Sequence, residues 1–235
     1  MTHSGKDVST ARAASADIAA FIERAKAVDV RSEVKRGRLI FALDATLSRQ
    51  PTWDLAQSLQ GKMFETTASL GGLDVQLVYF RGFMECRASS FIANGEGLAD
   101  LMSRISVRGG ETQIGKVLQH VRREAQGSAA GALIFVGDAM EENADKLSVL
   151  AGEIAVLGVK AFMFQEGADA TAAAAFKEIA RLTGGAYAAF DVNAPKRLSD
   201  LLAAAAAYAA GGRLALEKHV SNGGEAARLL LTQMR

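Results

Sequence analysis

The sequence predicts an α/β protein built on a doubly wound, mostly parallel six-stranded sheet, with one antiparallel hairpin at the sheet edge and helices on both faces. Apolar runs of strand length alternate with segments of helical period along most of the chain, the order of strand, crossover helix and strand. The runs are apolar at consecutive positions, as strands covered on both faces require. One neighbouring pair of runs is separated only by Arg81-Gly82, a link suited to a tight turn between antiparallel strands.

Residues 1–7 are expected to be disordered. From Val8 to about Val30, the residues Ile18, Phe21, Ile22, Ala25 and Val28 fall at helical spacing and form one apolar stripe, so an amphipathic helix is expected there. The basic connector "RSEVKRGR" follows and closes an N-terminal segment at residue 37. "RLIFALD" is the first strand. Residues 52–70 read as a helix, with Pro51 near its first turn, Asp54 favourable to its dipole and Gly71-Gly72 at its end. "DVQLVYF" and "FMECRASSFI" form the hairpin. Helices at about 95–106 and 113–125 flank the loop "VRGGET", and "GALIFVGDAM" supplies the next strand. A helix over about 143–157, the strand "VKAFMF", a helix over about 170–183, the strand "GAYAAF" and an Ala-rich helix at about 196–210 complete the series. The domain is placed at residues 38–210, and residues 211–235 form a tail with a short helix in "EAARLLLTQMR".

Composition narrows the function classes. The 27 basic and 26 acidic side chains of this 235-residue chain leave no basic excess for nucleic acid or an anionic membrane. Cys86 is the only cysteine, so neither an intrachain disulfide nor a thiolate metal centre can form. The N-terminus lacks the apolar core of a secretory signal, and no apolar run is long enough to span a bilayer. A cytoplasmic protein is expected, with neither nucleic acid nor membrane as partner.

In a doubly wound sheet, ligands bind outside the carboxyl ends of the strands. Asp44 and Asp138 each end an apolar run, and "DATLS" adds the hydroxyls of Thr46 and Ser48 at alternate positions. The loop "RGGET" starts a helix on the same edge and brings Thr112. Five oxygen-bearing side chains then converge: Asp44, Thr46, Ser48, Thr112 and Asp138. Such a set suits a hard cation such as Mg²⁺, with Mn²⁺ or Ca²⁺ as alternatives. Two carboxylates balance a divalent ion, the hydroxyls coordinate without adding charge, and an open position can take an acidic side chain from another protein.

Together these motifs resemble the von Willebrand factor A (VWA) domain, whose metal-ion-dependent adhesion site is read from DxSxS, a later Thr and a later Asp. "DATLS" supplies the first part as DxTxS, "GGETQIGKVL" is similar to the Thr segment, and "LIFVGDAMEEN" to the strand and loop carrying the last Asp. The likeness covers about residues 38–210. It implies that Thr46, Ser48 and Thr112 reach the metal, that Asp44 and Asp138 hold it directly or through water, and that the domain is an adaptor for a partner presenting Asp or Glu. An AAA+ ATPase or another assembly factor is the implied kind of partner. Thr46 replaces the usual first serine, and Leu47 stands where many bacterial members have glycine.

Two other readings use the same residues. A phosphatase similar to the haloacid dehalogenase family would take Asp44 as nucleophile, but its general acid belongs two residues on, where this chain has Thr46. A degenerate VWA scaffold without metal is the other, with Leu47 as its support. Strand-end aspartates also commonly just cap turns. Gly109-Gly110 suits a simple turn, Trp53 either the rim of the site or the core, and Glu141-Glu142 a solvated helix start. His120 reads as a surface or half-buried residue and Cys86 as inert.

Overall fold

In the computed structural model, which describes residues 36–127 and 131–234, strands β1 (Gly37–Asp44), β2 (Leu73–Arg81), β3 (Glu85–Ile92), β4 (Ala132–Gly137), β5 (Lys160–Glu166) and β6 (Ala186–Phe190) form one sheet. Their order is β3-β2-β1-β4-β5-β6. β2 and β3 are antiparallel and every other neighbouring pair is parallel, as predicted. Side chains along a strand alternate between its faces. Leu39, Phe41 and Leu43 therefore enter one apolar layer while Ile40 and Ala42 enter the other.

The first layer is closed by α1 (Gln50–Leu59), α2 (Gly61–Thr67), α3 (Gly95–Ser103), α7 (Pro195–Ser221) and α8 (Glu225–Gln233). Trp53, Met63, Leu98, Leu201 and Leu230 are their buried anchors. On the opposite face lie α4 (Ile114–Gly127), α5 (Ala144–Val156) and α6 (Ala170–Thr183), which bury Val117, Ile154 and Phe176. There Phe135 stacks on Phe80 and meets Phe176 edge to face, with centroids 6.1 and 5.3 Å apart. That edge-to-face geometry matches the ring quadrupoles.

Several elements differ from the expectation, each for a tertiary reason. The helix expected over 52–70 is divided: a 3₁₀ turn (Leu47–Arg49), α1, α2 and a second 3₁₀ turn (Ala68–Leu70). The division at Gln60 falls where α3 begins, and the Gln60 amide donates to the Gly95 carbonyl at 2.9 Å. The hairpin turn holds three residues, Gly82 to Met84, with Met84 at φ 71°. Arg81 and Glu85 pair across it at 3.1 Å, which keeps Arg81 in the strand. Farther along the hairpin, the register slips between Gln76 and Val78, where the Ser89 hydroxyl accepts the Leu77 N–H at 3.1 Å.

The Ala-rich helix does not end at 210. α7 continues to Ser221 through a kink at Gly212, φ 65°, because Ala215 and Leu216 still have apolar surface to bury. α8 then lies against α7 and β6. The Gln233 amide acts as a rung of the ladder: its oxygen accepts the Tyr187 N–H at 3.0 Å and its nitrogen donates to the Tyr187 carbonyl at 2.9 Å.

The expectations for residues 1–7, for the helix over 8–30 and for most of the basic connector lie outside the described residues. Arg36, the first described residue, pairs with Asp74 at 2.6 Å and donates to the carbonyls of Leu73 and Ala93. Gly37 opens β1 rather than closing the connector. A Cβ there would stand 2.4 Å from the Ala210 Cα, so only glycine fits beneath α7.

Candidate functional site

Parallel pairing of β1 with β4, Leu43 opposite Val136, delivers Asp44 and Asp138 to one edge of the sheet. Asp44 is the last residue of β1 and is only 5% exposed. Its Oδ1 accepts the Thr46 N–H at 2.7 Å, an Asx turn that aims the chain out of the strand. Burial pushes the Asp44 carboxyl from 3.8 up to about 6, and the nearby Asp138 charge adds to that. The Thr46 N–H and hydroxyl, together with Arg49, act in the opposite direction. Burial of the charged form is thus the dominant cause, with the opposing contacts only partly offsetting it.

Thr112 reaches the same edge from the loop between α3 and α4. Arg108 N–H donates to the Ala45 carbonyl at 3.0 Å, which ties that loop to the exit of β1. The buried Thr112 is locked to the segment after Asp138: its hydroxyl accepts the Glu141 N–H at 3.1 Å, and its own N–H donates to Glu141 Oε2 at 3.0 Å. Glu142 accepts the N–H groups of Ile114 and Gly115, the latter at 3.0 Å. These are orphan donors of the first turn of α4, and a carboxylate there also meets the positive end of the helix dipole. Glu141 and Glu142 are therefore clamps between two loops rather than a solvated helix start. Burial pushes the Glu142 carboxyl above its ordinary value. Glu142→Ala is expected to lower stability by about 1–2 kcal/mol, as the loss of a helix cap does, read from the urea midpoint.

The structure thus brings Asp44, Thr46 and Asp138 together and fastens Thr112 to the Asp138 loop. Ser48 stands exposed on the 3₁₀ turn, where its hydroxyl is 3.5 Å from Arg49 Nε. Leu47 lies in solvent beside it, 65% exposed. Sequence reasoning passed over Arg49 and Glu166. Arg49 Nη2 lies 3.2 Å from Asp138 Oδ2 and Nη1 lies 2.7 Å from Glu166 Oε2, and the Thr52 hydroxyl donates to the same Glu166 oxygen. Glu166 ends β5 as Asp44 ends β1, and that shared feature was its legible signal.

Among the described residues, no three carboxylate, imidazole or thiol groups converge as a ready-made metal centre. A cation here would rest on two carboxylates completed by hydroxyls and water, a donor set that suits a hard ion such as Mg²⁺. Elsewhere, Trp53 is buried, donates its indole N–H to the Met102 carbonyl at 3.3 Å and meets Tyr79 edge to face, so it belongs to the core. His120 is half-buried against the Gln76 amide at 2.8 Å. Burial pushes the Cys86 thiol up, consistent with an inert side chain.

A twisted sheet of this order with helices on both faces and its loops at one edge is the VWA fold. Solved structures bear this out. Von Willebrand factor type A from Catenulispora acidiphila superposes with a TM-score of 0.61 at 14% identity over 74% of this chain. The SpRpn10 VWA domain does so with a TM-score of 0.56 at 10% identity, over 70% of this chain and 95% of that one. An aerotolerance-related membrane protein from Bacteroides fragilis gives 0.53 at 18% identity, over 68% and 95%. This chain spans 43% of the Catenulispora protein's length. No protein-family model matches the chain, and no curated protein matches it. At these identities the likeness establishes the fold.

Proposed function

We propose that this chain is a VWA-type protein-interaction domain and not an enzyme. In this reading its loop edge holds a divalent cation, Mg²⁺ by preference or else Mn²⁺ or Ca²⁺, on Asp44, Thr46, Ser48, Thr112 and Asp138. The acidic side chain of a partner protein, an AAA+ ATPase or another assembly factor, completes the coordination in the cytoplasm. The bound ion would supply an electrophilic anchor for that carboxylate. The observation that carries the reading is the buried Asp44 carboxyl at the end of β1 beside Asp138, raised to about 6 chiefly by burial and further by the Asp138 charge. The rim supports it as well. Leu47, Phe83 and Met84 are 65, 83 and 79% exposed, and the hairpin turn that bears the last two adjoins the Thr112 loop, where Gln113 donates to the Gly82 carbonyl at 3.2 Å. Exposed apolar side chains around a polar centre are the make-up of an interaction surface. Among the described residues no helix is long and apolar enough to cross a membrane.

Thermal unfolding of the chelated protein with Mg²⁺ or Mn²⁺ titrated in tests the reading. A ligand of the folded state adds about 1.4 kcal/mol at ten times its Kd, and Asp44→Ala is expected to abolish that rise. Identical unfolding with and without either metal at about 10 mM, well beyond the free levels such a site must use, would overturn it.

A further inference from the structure

The loop edge already contains a cation of its own. The Arg49 side chain is 14% exposed and divides its two terminal nitrogens between carboxylates on neighbouring strands, Asp138 after β4 and Glu166 at the end of β5. Its guanidinium offers donors in a rigid fork and no acceptor, so it pairs with carboxylates and cannot ligate a metal itself. Its planar fork lets one nitrogen stay bound while the other is released. The two contacts are unequal: 2.7 Å to Glu166, whose oxygen is also held by Thr52, against 3.2 Å to Asp138.

We propose that Arg49 is an internal competitor for the divalent cation at Asp138, and that Glu166 is the place to which it withdraws when Asp138 turns to metal. The inference rests on the metal-dependent reading above and adds the residue that sets the affinity. Charge counting agrees with it. Asp44, Asp138 and Glu166 carry three negative charges when ionised. Arg49 on Glu166 cancels one and a divalent ion cancels the other two. Without metal, Arg49 must serve both Asp138 and Glu166. Weak intrinsic binding follows, so that stable occupancy waits for a partner's carboxylate, and metal and partner bind cooperatively.

Mn²⁺ affinity of the full chain, measured by isothermal titration calorimetry, separates the possibilities. Arg49→Gln is expected to bind about tenfold more tightly than the wild type, because a fixed charge beside the ion is gone. Glu166→Gln is expected to bind more weakly, because Arg49 is left with Asp138 alone. The double variant decides between relay and bulk charge: if Glu166 acts through Arg49, it matches Arg49→Gln, whereas independent charges give additive effects. Weaker or unchanged binding in Arg49→Gln, or additivity in the double variant, would overturn the competition while leaving the metal site standing. Should Arg49→Gln fail to fold, unchanged or tighter binding in Glu166→Gln overturns it alone. No heat of binding in the wild type or in any variant up to about 20 mM Mn²⁺, far above any working affinity, would overturn the metal reading and this inference together.

Discussion

Asp44→Asn is expected to stabilise the chelated protein at pH 7 by up to about 3 kcal/mol. The carboxyl is raised from 3.8 to about 6 chiefly by burial, and each pKa unit is worth about 1.4 kcal/mol between the protonation states. Its folded value lies above its unfolded one, so the folded state binds the proton more tightly. The stability this confers is complete below about pH 3.8 and is lost as pH rises through about 6. At pH 7 the folded chain holds a poorly solvated carboxylate. Asparagine removes that charge yet keeps an oxygen for the Thr46 N–H. Denaturant unfolding at several pH values should show the variant and the wild type equal near pH 4 and separating to a plateau by pH 7. Equal stability at pH 7 would mean that no such penalty exists. On the metal-dependent reading proposed above, the same variant should also lose its metal response, so that binding is lost where stability is gained.

Gly110→Ala is expected to cost about 2–3 kcal/mol, the range for forcing an added methyl into a packed site, and to blunt the metal response as well. A Cβ at Gly110 would stand 2.3 Å from the Gly82 nitrogen and 2.4 Å from its carbonyl oxygen. Both are backbone atoms of the hairpin turn, so nothing nearby can yield without moving the turn away from the Thr112 loop. Two further ties would be pulled with it: Gln113 to the Gly82 carbonyl, and Lys116 to the Met84 carbonyl at 2.8 Å. Gly109→Ala is the control. Nothing lies within 4 Å of a Cβ there, and a change of less than about 0.5 kcal/mol is expected. Similar midpoints for the two variants in urea would refute the close approach.

Elements whose limits are written locally were legible. α6 was expected at 170–183 and spans Ala170–Thr183, because Asp169 caps its N–H groups and Gly184 takes the left-handed conformation at its end. The end of α7 is not legible, because Gly211-Gly212 reads as a stop while the apolar surface of Ala215 and Leu216 carries the helix onward. The turn after β2 reads from sequence as one residue shorter than it is, because the Arg81–Glu85 pairing lies across strands. At the loop edge, strand-end carboxylates and nearby hydroxyls declared themselves through strand order. The Arg49 contact did not: Glu166 lies 117 positions away, and local sequence does not show where a long side chain points. Glu142 reads from local sequence as part of a solvated helix start for the same reason, since the helix it caps begins nearly thirty residues earlier.

The rungs that Gln233 adds to β6 and the slip at Ser89 in β3 fall on the two outermost strands. An unpaired outer strand is a template on which further copies of a chain can polymerise, and a bulge or a covering element is how such growth is prevented. Here one margin is kinked and the other is capped by an amide that imitates a neighbouring backbone. Both devices work against edge-to-edge pairing of one copy with the next, so the sheet margins are poor templates for further strands.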